Sequence, residues 1–338
     1  MEIPTTNVFD ELEAHQYTFV VISLILCLIG FYFNLVLLRC IVKTQMLRQY
    51  AFIFNSAICS LAICVVESLA HLQETIYGRH FDDFWLIQCR GFVSQCCWGI
   101  SVLSFVGLTI DPFRIVIQRK PVLTHSGILQ ILFVIWMVGV SAACIPLLQI
   151  KGMTAPFILH SSKLYSMPCY ACTGLPLNNF IVYLNTSGII LVPIFICVLF
   201  AIIWRRVGSL STGTVGFQLR SALMAKAICN RGILNTASLS ISFGITACKI
   251  IYEHHNERLI DPCLDHFVYM FPLINFTVSP LLNLYIDNRL CTLSKADMFF
   301  MYRVQTHKTE VTEITGSVVS PTPNSNWFVT ATTTMTSH

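Results

Sequence analysis

The stretch Cys89–Arg114, CRGFVSQCCWGISVLSFVGLTIDPFR, holds between Arg90 and Asp111 an unbroken run of 20 uncharged residues, Gly91–Ile110. About 20 mostly apolar residues in a helix cross a hydrocarbon core of about 30 Å. The run has company. Tyr17–Leu38, Tyr50–Val66, Ser126–Ile150, Gly232–Cys248 and Phe267–Ile286 are uncharged in the same way, and the second and sixth lengthen past one charge each, Glu67 and Lys249. The charge-free stretch Leu164–Trp204 is too long for one helix. Cys169, Cys172, Gly174 and Pro176 mark its first part as loop and leave Phe180–Trp204 as a span. The expectation is seven membrane helices. Composition agrees, since 55% of the 338 residues are hydrophobic and 11% charged, against roughly 25% charged in soluble domains. So few charges cannot coat globular cores in water, whereas a lipid-facing surface needs none. A soluble enzyme, a disordered chain and a nucleic-acid-binding protein are excluded.

Lys and Arg gather on the cytoplasmic side of membrane proteins. With the amino terminus outside, the inner segments hold 15 of the 21 basic residues, among them Arg39, Lys43, Arg48, Arg114, Arg205 and Arg206. The outer segments hold six: Arg79, Arg90, Lys151, Lys163, Lys249 and Arg258. The bias predicts an extracellular amino terminus over 1–16, a seven-span domain with a juxtamembrane helix over 17–303, and a cytoplasmic tail over 304–338. The tail is rich in Ser and Thr and poor in apolar residues, so disorder is expected there. Asp287–Val304 sets Leu290, Leu293, Phe299 and Phe300 among charges, as an amphipathic helix on the inner surface does. The first residues are acidic, with no basic start to suggest a signal peptide, so the first span reads as retained. The outer segments are acidic overall, a pattern that attracts cationic solutes or simply forms a solvated rim.

Ten of the fifteen cysteines fall in or at the ends of spans, where Cys behaves as a small hydrophobe. Cys89, Cys169, Cys172 and Cys263 face the oxidising side. A bridge from Cys89 to Cys172, with Cys169 as the other candidate partner, would pin the loop before the fifth span over the bundle. Four free thiols are the competing reading. The Cys169-Tyr-Ala-Cys172 pair lacks the second cluster that a tetrahedral metal site needs.

Four internal anchors narrow the class. Asn34 lies within the first span, and Arg114 falls 25 residues after Cys89 and seven before Pro121. Trp136 is central in the fourth span with Pro146 ten residues on; Pro193 interrupts the fifth, and Ser279-Pro-Leu-Leu-Asn-Leu-Tyr285 closes the seventh. In joint spacing these resemble the rhodopsin-like G-protein-coupled receptors over about residues 17–303. In style the chain looks most like the nematode-type serpentine chemoreceptors. The resemblance implies a multi-pass plasma-membrane receptor, not an enzyme, with no cofactor. Its partners would be a small extracellular ligand, a heterotrimeric G protein and, through a phosphorylated tail, arrestin. Departures matter. Phe113 stands where the family pairs an acid with its arginine, leaving Asp111, one turn back, as the candidate partner of Arg114. Val65 aligns with the family's ion-binding aspartate, and the sixth span lacks the family's proline. Cys96 replaces the aspartate of amine receptors and Leu273 the retinal lysine of opsins, so neither of those ligands is expected.

The resemblance assigns coupling and switching to Asp111, Arg114, Pro280, Asn283 and Tyr285. A pocket between the outer halves of the third, fifth, sixth and seventh spans would draw on Gln95, Trp98, Asn179, Tyr183, Tyr252, His266 and Tyr269, mostly apolar with a few polar groups. Packing or an interfacial aromatic belt is the competing role for each. Glu67 is the charge that most needs a use, either as a ligand group or bonded to a neighbouring helix. Lys249 would attract an anion or snorkel. A transporter or channel remains the other class, but broken-helix pairs and repeats are missing. Glu253-His254-His255 does not have zinc-helix spacing.

Overall fold

The computed structural model describes residues 9–11, 14–45, 47–77, 79–81, 83–118, 121, 123–159, 165–210, 217–287 and 290–294. In chain order they form β1 (Phe9–Glu11), α1 (Ala14–Lys43), α2 (Leu47–Tyr77), β2 (Arg79–Phe81), α3 (Phe84–Val116) and α4 (His125–Leu147). There follow β3 (Phe157–Leu159), β4 (Ser166–Pro168), α5 (Pro176–Leu210), α6 (Phe217–Asn256) and α7 (Pro262–Ile286). All seven helices are long and apolar enough to cross a membrane. A further helical turn at 290–294 follows α7, with Leu290 buried and Leu293 packed on the core. It begins the expected juxtamembrane helix, whose remainder, like the tail over 304–338, lies outside the described residues.

Helix ends follow their caps rather than the ends of uncharged runs. Asp83 caps α3 by accepting from the Leu86 N–H at 3.0 Å, so the helix starts seven residues before Gly91 and carries Arg90 inside it. Asp261 accepts from Cys263 and Leu264, and Pro262 opens α7, which brings Asp265 into that helix. Both placements satisfy N–H groups that a helix start leaves orphaned. The outward face of α4 is almost wholly apolar, with Leu129, Phe133, Val134 and Met137 each more than half exposed. Water would penalise such a face, and lipid does not.

Inside the bundle, small residues set the helix spacing. A Cβ added at Gly107 would stand 2.5 Å from the Phe52 ring, and one at Gly139 would stand 2.5 Å from Ile100. Both glycines let a bulky neighbour reach the helix backbone, binding α3 to α2 and to α4. Polar nodes add direction. Asn55 on α2 donates to Ser104 on α3 at 2.8 Å and accepts from Trp136 Nε1 on α4 at 2.9 Å. Asn34 on α1 donates to the Phe276 carbonyl of α7 at 3.0 Å. The anchors of the sequence thus meet across helices.

An antiparallel hairpin, β3 and β4 with Ile158 opposite Met167, covers one end of the bundle, the outer end by the charge bias. Gln88 on α3 grips its backbone twice, donating to the Phe157 carbonyl at 2.8 Å and accepting the Phe157 N–H at 3.0 Å. Ser166 donates to the Ile87 carbonyl. The outer loop is therefore pinned to α3 by hydrogen bonds. The expected Cys89 bridge is not what holds it: Cys169 is bonded to Cys172, with Cα atoms 5.5 Å apart, while Cys89 and Cys263 are exposed free thiols. The two partners lie three residues apart in a turn, within disulfide reach of each other.

Overpacking at a closed helix contact costs about 1–3 kcal/mol, whereas interhelical hydrogen bonds in membrane proteins average about 0.6 kcal/mol each. Gly107→Ala should therefore unfold at a lower temperature than Asn55→Ala, and both below the wild type, when the purified protein is melted in detergent. The reverse order would make the polar node, not close approach, the stronger tie.

Candidate functional site

α2 presents Glu67, His71 and Glu74 at positions i, i+4 and i+7, one face of a helix. None of the three is more than 3% exposed. That face meets Arg90 on α3, which is itself 4% exposed. Arg90 donates to Glu67 Oε2 through Nε at 2.9 Å and through a terminal nitrogen at 2.5 Å. Its other terminal nitrogen lies 3.8 Å from Glu74. Tyr269 of α7 adds a bond to Glu67 Oε2 at 2.9 Å, and Ser94 donates to Glu67 Oε1 at 3.0 Å. His71 bridges Glu74 at 3.0 Å and the Tyr269 hydroxyl at 3.3 Å.

A second ion pair joins α6 to α7. Lys249 meets Asp265 at 2.5 Å and lies 3.7 Å from Glu253, one turn along its own helix. Tyr165, from the loop that enters β4, donates to Asp265 at 2.6 Å and is also bonded to Lys249. Its ring stacks on Tyr269 with centroids 4.5 Å apart and planes 2° from parallel. Burial, reinforced by the Asp265 carboxylate, pushes the Tyr165 phenol well above the usual tyrosine range. It therefore stays protonated and donates. The two ion-pair groups form one cluster through this stack. Four carboxylates and two fixed cations share it, with His71 between two of the acids.

Beneath the hairpin and beside the cluster lies a partly open cavity, whose roughly 560 Å³ of space between atoms includes its opening to solvent. Its walls come from α2, α3, α6, α7 and the hairpin. Ile63, Val268, Pro272 and Leu273 make the apolar sides, and Trp98, Phe243 and Phe276 supply aromatic surface. Glu67, Ser94, Tyr165, Ser166, Thr246 and Tyr269 bring the polar groups. Trp98 packs on Phe243 at 5.2 Å and Phe243 on Phe276 at 6.2 Å, so these rings tie α3, α6 and α7 together.

Of the pocket residues expected from the sequence, Trp98 and Tyr269 line this cavity. The others do not. Gln95 donates to Asn185 at 2.8 Å and joins α3 to α5. Asn179 bonds the Thr173 carbonyl in the loop before α5. His266 is buried against Phe19 and the Pro262 carbonyl. Tyr183 and Tyr252 are 62% and 42% exposed on the outside of the bundle, where apolar side chains meet lipid. Glu67 bonds a neighbouring helix, and Lys249 is buried in an ion pair rather than snorkelling. Uncharged runs do not reveal Arg90, Glu74, His71 and Asp265, which lie beyond the ends of the runs yet inside helices, and Tyr165 lies in a loop before β4. The i, i+4, i+7 spacing of Glu67, His71 and Glu74 was the available signal.

At the inner end Arg114 and Asp111 do not pair. Asp111 accepts the Leu123 N–H at 2.7 Å, while Arg114 reaches the Pro121 carbonyl at 3.4 Å. Arg48 of α2 also holds the Leu123 carbonyl. Asp111 and Arg48 thus fix the turn into α4, and Pro112 between Asp111 and Phe113 accompanies this departure from simple one-turn pairing. Asn283 exchanges hydrogen bonds with Asn235 of α6 at 3.2 Å, beside Ser279 and Pro280. Tyr285 is 80% exposed and turned away from that node. Val65 is 38% exposed, so it does not occupy the internal position assigned by alignment. Ser60 faces the small polar cavity shared by Asn34, Ser279 and Asn283.

No family model matches the sequence, and no curated protein does. The fold is nevertheless shared with solved structures. Squid rhodopsin matches with a TM-score of 0.74 at 15% identity, covering 89% of this chain and 90% of that one. The chain is a seven-helix bundle with the fold of squid rhodopsin, each helix long and apolar enough to cross a membrane.

Removing one partner of a buried ion pair strands the other, at about 3–5 kcal/mol, whereas replacing both with apolar groups is often close to neutral. Arg90→Leu should therefore lower surface display and melting temperature sharply. Glu67→Leu combined with Arg90→Leu should recover a large part of both. A double variant as unstable as the single one would place the loss in Glu74, His71 and Tyr269 instead.

Proposed function

We propose that the protein is a plasma-membrane receptor that binds a small extracellular molecule in the outer cavity and activates a heterotrimeric G protein at its inner face. The observation that carries this reading is the cavity itself, whose aromatic rings belong to α3, α6 and α7 at once. A molecule seated against Trp98 and Phe243 bears directly on how α6 sits beside α3 and α7.

A continuous polar ladder lies farther along the same helices. Ser238 of α6 donates to Asn275 of α7 at 2.9 Å, and Asn235 meets Asn283 and Ser279 nearer the inner end. Packed and bonded elements of this kind hold discrete arrangements, and a ligand shifts their balance only by binding one better than another. The coupling needed is typically about 1–3 kcal/mol. Arg114 is the group we assign to the G protein: it lies near the inner end of α3, half-buried, with one long hydrogen bond to release. Asp111 acts as a positioning residue for the turn before α4. A chemosensory cue suits the mainly apolar cavity, and the tail beyond residue 304 is the segment we assign to arrestin.

The test is G-protein activation in cells displaying the receptor, read with biosensors for several Gα classes against a panel of small volatile and water-soluble compounds. Arg114→Ala should cut a compound-dependent response at least about tenfold, with surface display unchanged. The removal of one dominant contact, worth about 1.4 kcal/mol, has that effect. A response that survives Arg114→Ala would refute the coupling role.

A further inference from the structure

Seven polar side chains line the outer cavity, and five of them are already committed within the protein. Glu67 takes Arg90 and Tyr269 on one oxygen and Ser94 on the other. That accounts for the Ser94 and Tyr269 hydroxyls as donors. Tyr165 donates to Asp265 and Ser166 to the Ile87 carbonyl. Two remain. Trp98 Nε1 and Thr246 Oγ1 are buried without a hydrogen-bond partner, on side chains that are 7% and 5% exposed. Thr246 lies one turn from Phe243 on α6, and Phe243 packs directly on Trp98. Both residues line the cavity, on either side of Phe243.

A buried indole N–H can only donate, and it is costly to leave unmet. A hydroxyl can donate to the same kind of acceptor. The cavity carries no open charge to match an ionic ligand. Its one lining carboxylate is paired with Arg90, and Arg90 and Lys249 are held by acids behind the wall. An ammonium group would have to compete with Arg90 for Glu67, and a carboxylate ligand would face Glu67 directly.

We propose that the outer cavity selects an uncharged, mainly apolar molecule bearing an acceptor oxygen, of the carbonyl class, which takes a hydrogen bond from Trp98 Nε1–H with Thr246 Oγ1–H as the second donor. The ligand body lies against Ile63, Leu273, Phe243 and Phe276. Trp98 and Thr246 are then the specificity-determining residues. The proposal deepens the receptor reading and rests on it for the cavity being the ligand site.

The experiment uses the full chain in lipid nanodiscs, with empty nanodiscs subtracted, and four matched probes: 2-nonanone, nonane, nonan-2-amine and nonanoate. The sequence has five tryptophans, so ¹⁵N labelling of tryptophan gives five indole N–H signals to resolve. Saturating 2-nonanone should move the Trp98 signal downfield, as a new acceptor does, and nonane should not. Trp98→Phe keeps the aromatic body and should weaken 2-nonanone about tenfold while leaving nonane unchanged. Thr246→Val should weaken 2-nonanone in the same direction. If Trp98→Phe does not fold, the signal is assigned by substituting the other four tryptophans in turn, and the wild-type shift decides.

Equal binding of ketone and alkane, tighter binding of the amine or the carboxylate, or no binding of 2-nonanone would each overturn the proposal. These outcomes are read from binding and not from signalling. A G-protein response to another compound without ketone binding sinks this inference and leaves the receptor reading standing. Ketone binding at Trp98, with the Gα biosensors silent to 2-nonanone as well, upholds the inference against the receptor reading.

Discussion

The buried contact between Glu67 and Arg90 organises the outer half of this bundle. Two charges taken out of water are expensive, and they are tolerated only when geometry and additional hydrogen bonds compensate. Here the compensation is spread over helices. Ser94 donates to one carboxylate oxygen, Tyr269 reaches the other from α7, and Glu74, itself bonded to His71, approaches the guanidinium from α2. The need to satisfy one ion pair thus fixes the relative positions of α2, α3 and α7. Tyr269 then hands the constraint to Tyr165 by stacking, and Tyr165 joins the Lys249–Asp265 pair. Four helices and the covering loop come under one set of hydrogen bonds.

That arrangement explains how an apolar cavity can border so many charges. The ionic groups are bonded to one another, and apart from the paired Glu67 they leave the cavity lined by hydroxyls, rings and apolar side chains. It also explains how the loop stays in place although Cys89 is free. Gln88, Ser166 and Tyr165 tether it from three directions, so the local Cys169–Cys172 bridge only has to close its own turn.

The seven spans were legible because uncharged runs about 20 residues long have no other economical use in a chain this poor in charge. The interhelical anchors were legible as well: Asn34 and Trp136 make the cross-helix bonds that give such residues a reason to lie at membrane depth. Reading failed where a residue's value depended on a partner distant in sequence. Arg90 looked like an outer-loop cation because it adjoins Cys89, yet a cap seven residues earlier draws it into α3 and an acid 23 residues away holds it there. Tyr183, Tyr252 and Tyr285 are aromatic residues at plausible depths, but helix rotation points all three outward, and rotation is set by packing rather than by spacing along one chain. Val65 and Ser60 differ by the same cause. The register of α2 turns Ser60 inward to the polar cavity and Val65 toward the surface.

The two ends of the bundle differ in how firmly they are tied. At the outer end, seven ionisable residues, none more than 4% exposed, join the helices through charge-assisted bonds, which are roughly twice as strong as neutral ones. Toward the inner end, α6 and α7 meet through amides and hydroxyls, Asn235 with Asn283 and Ser279, and Ser238 with Asn275. Neutral bonds of this kind exchange partners at lower cost than ion pairs do. A perturbation of the cavity that displaces Phe243 therefore meets stiff resistance above it and weaker resistance below.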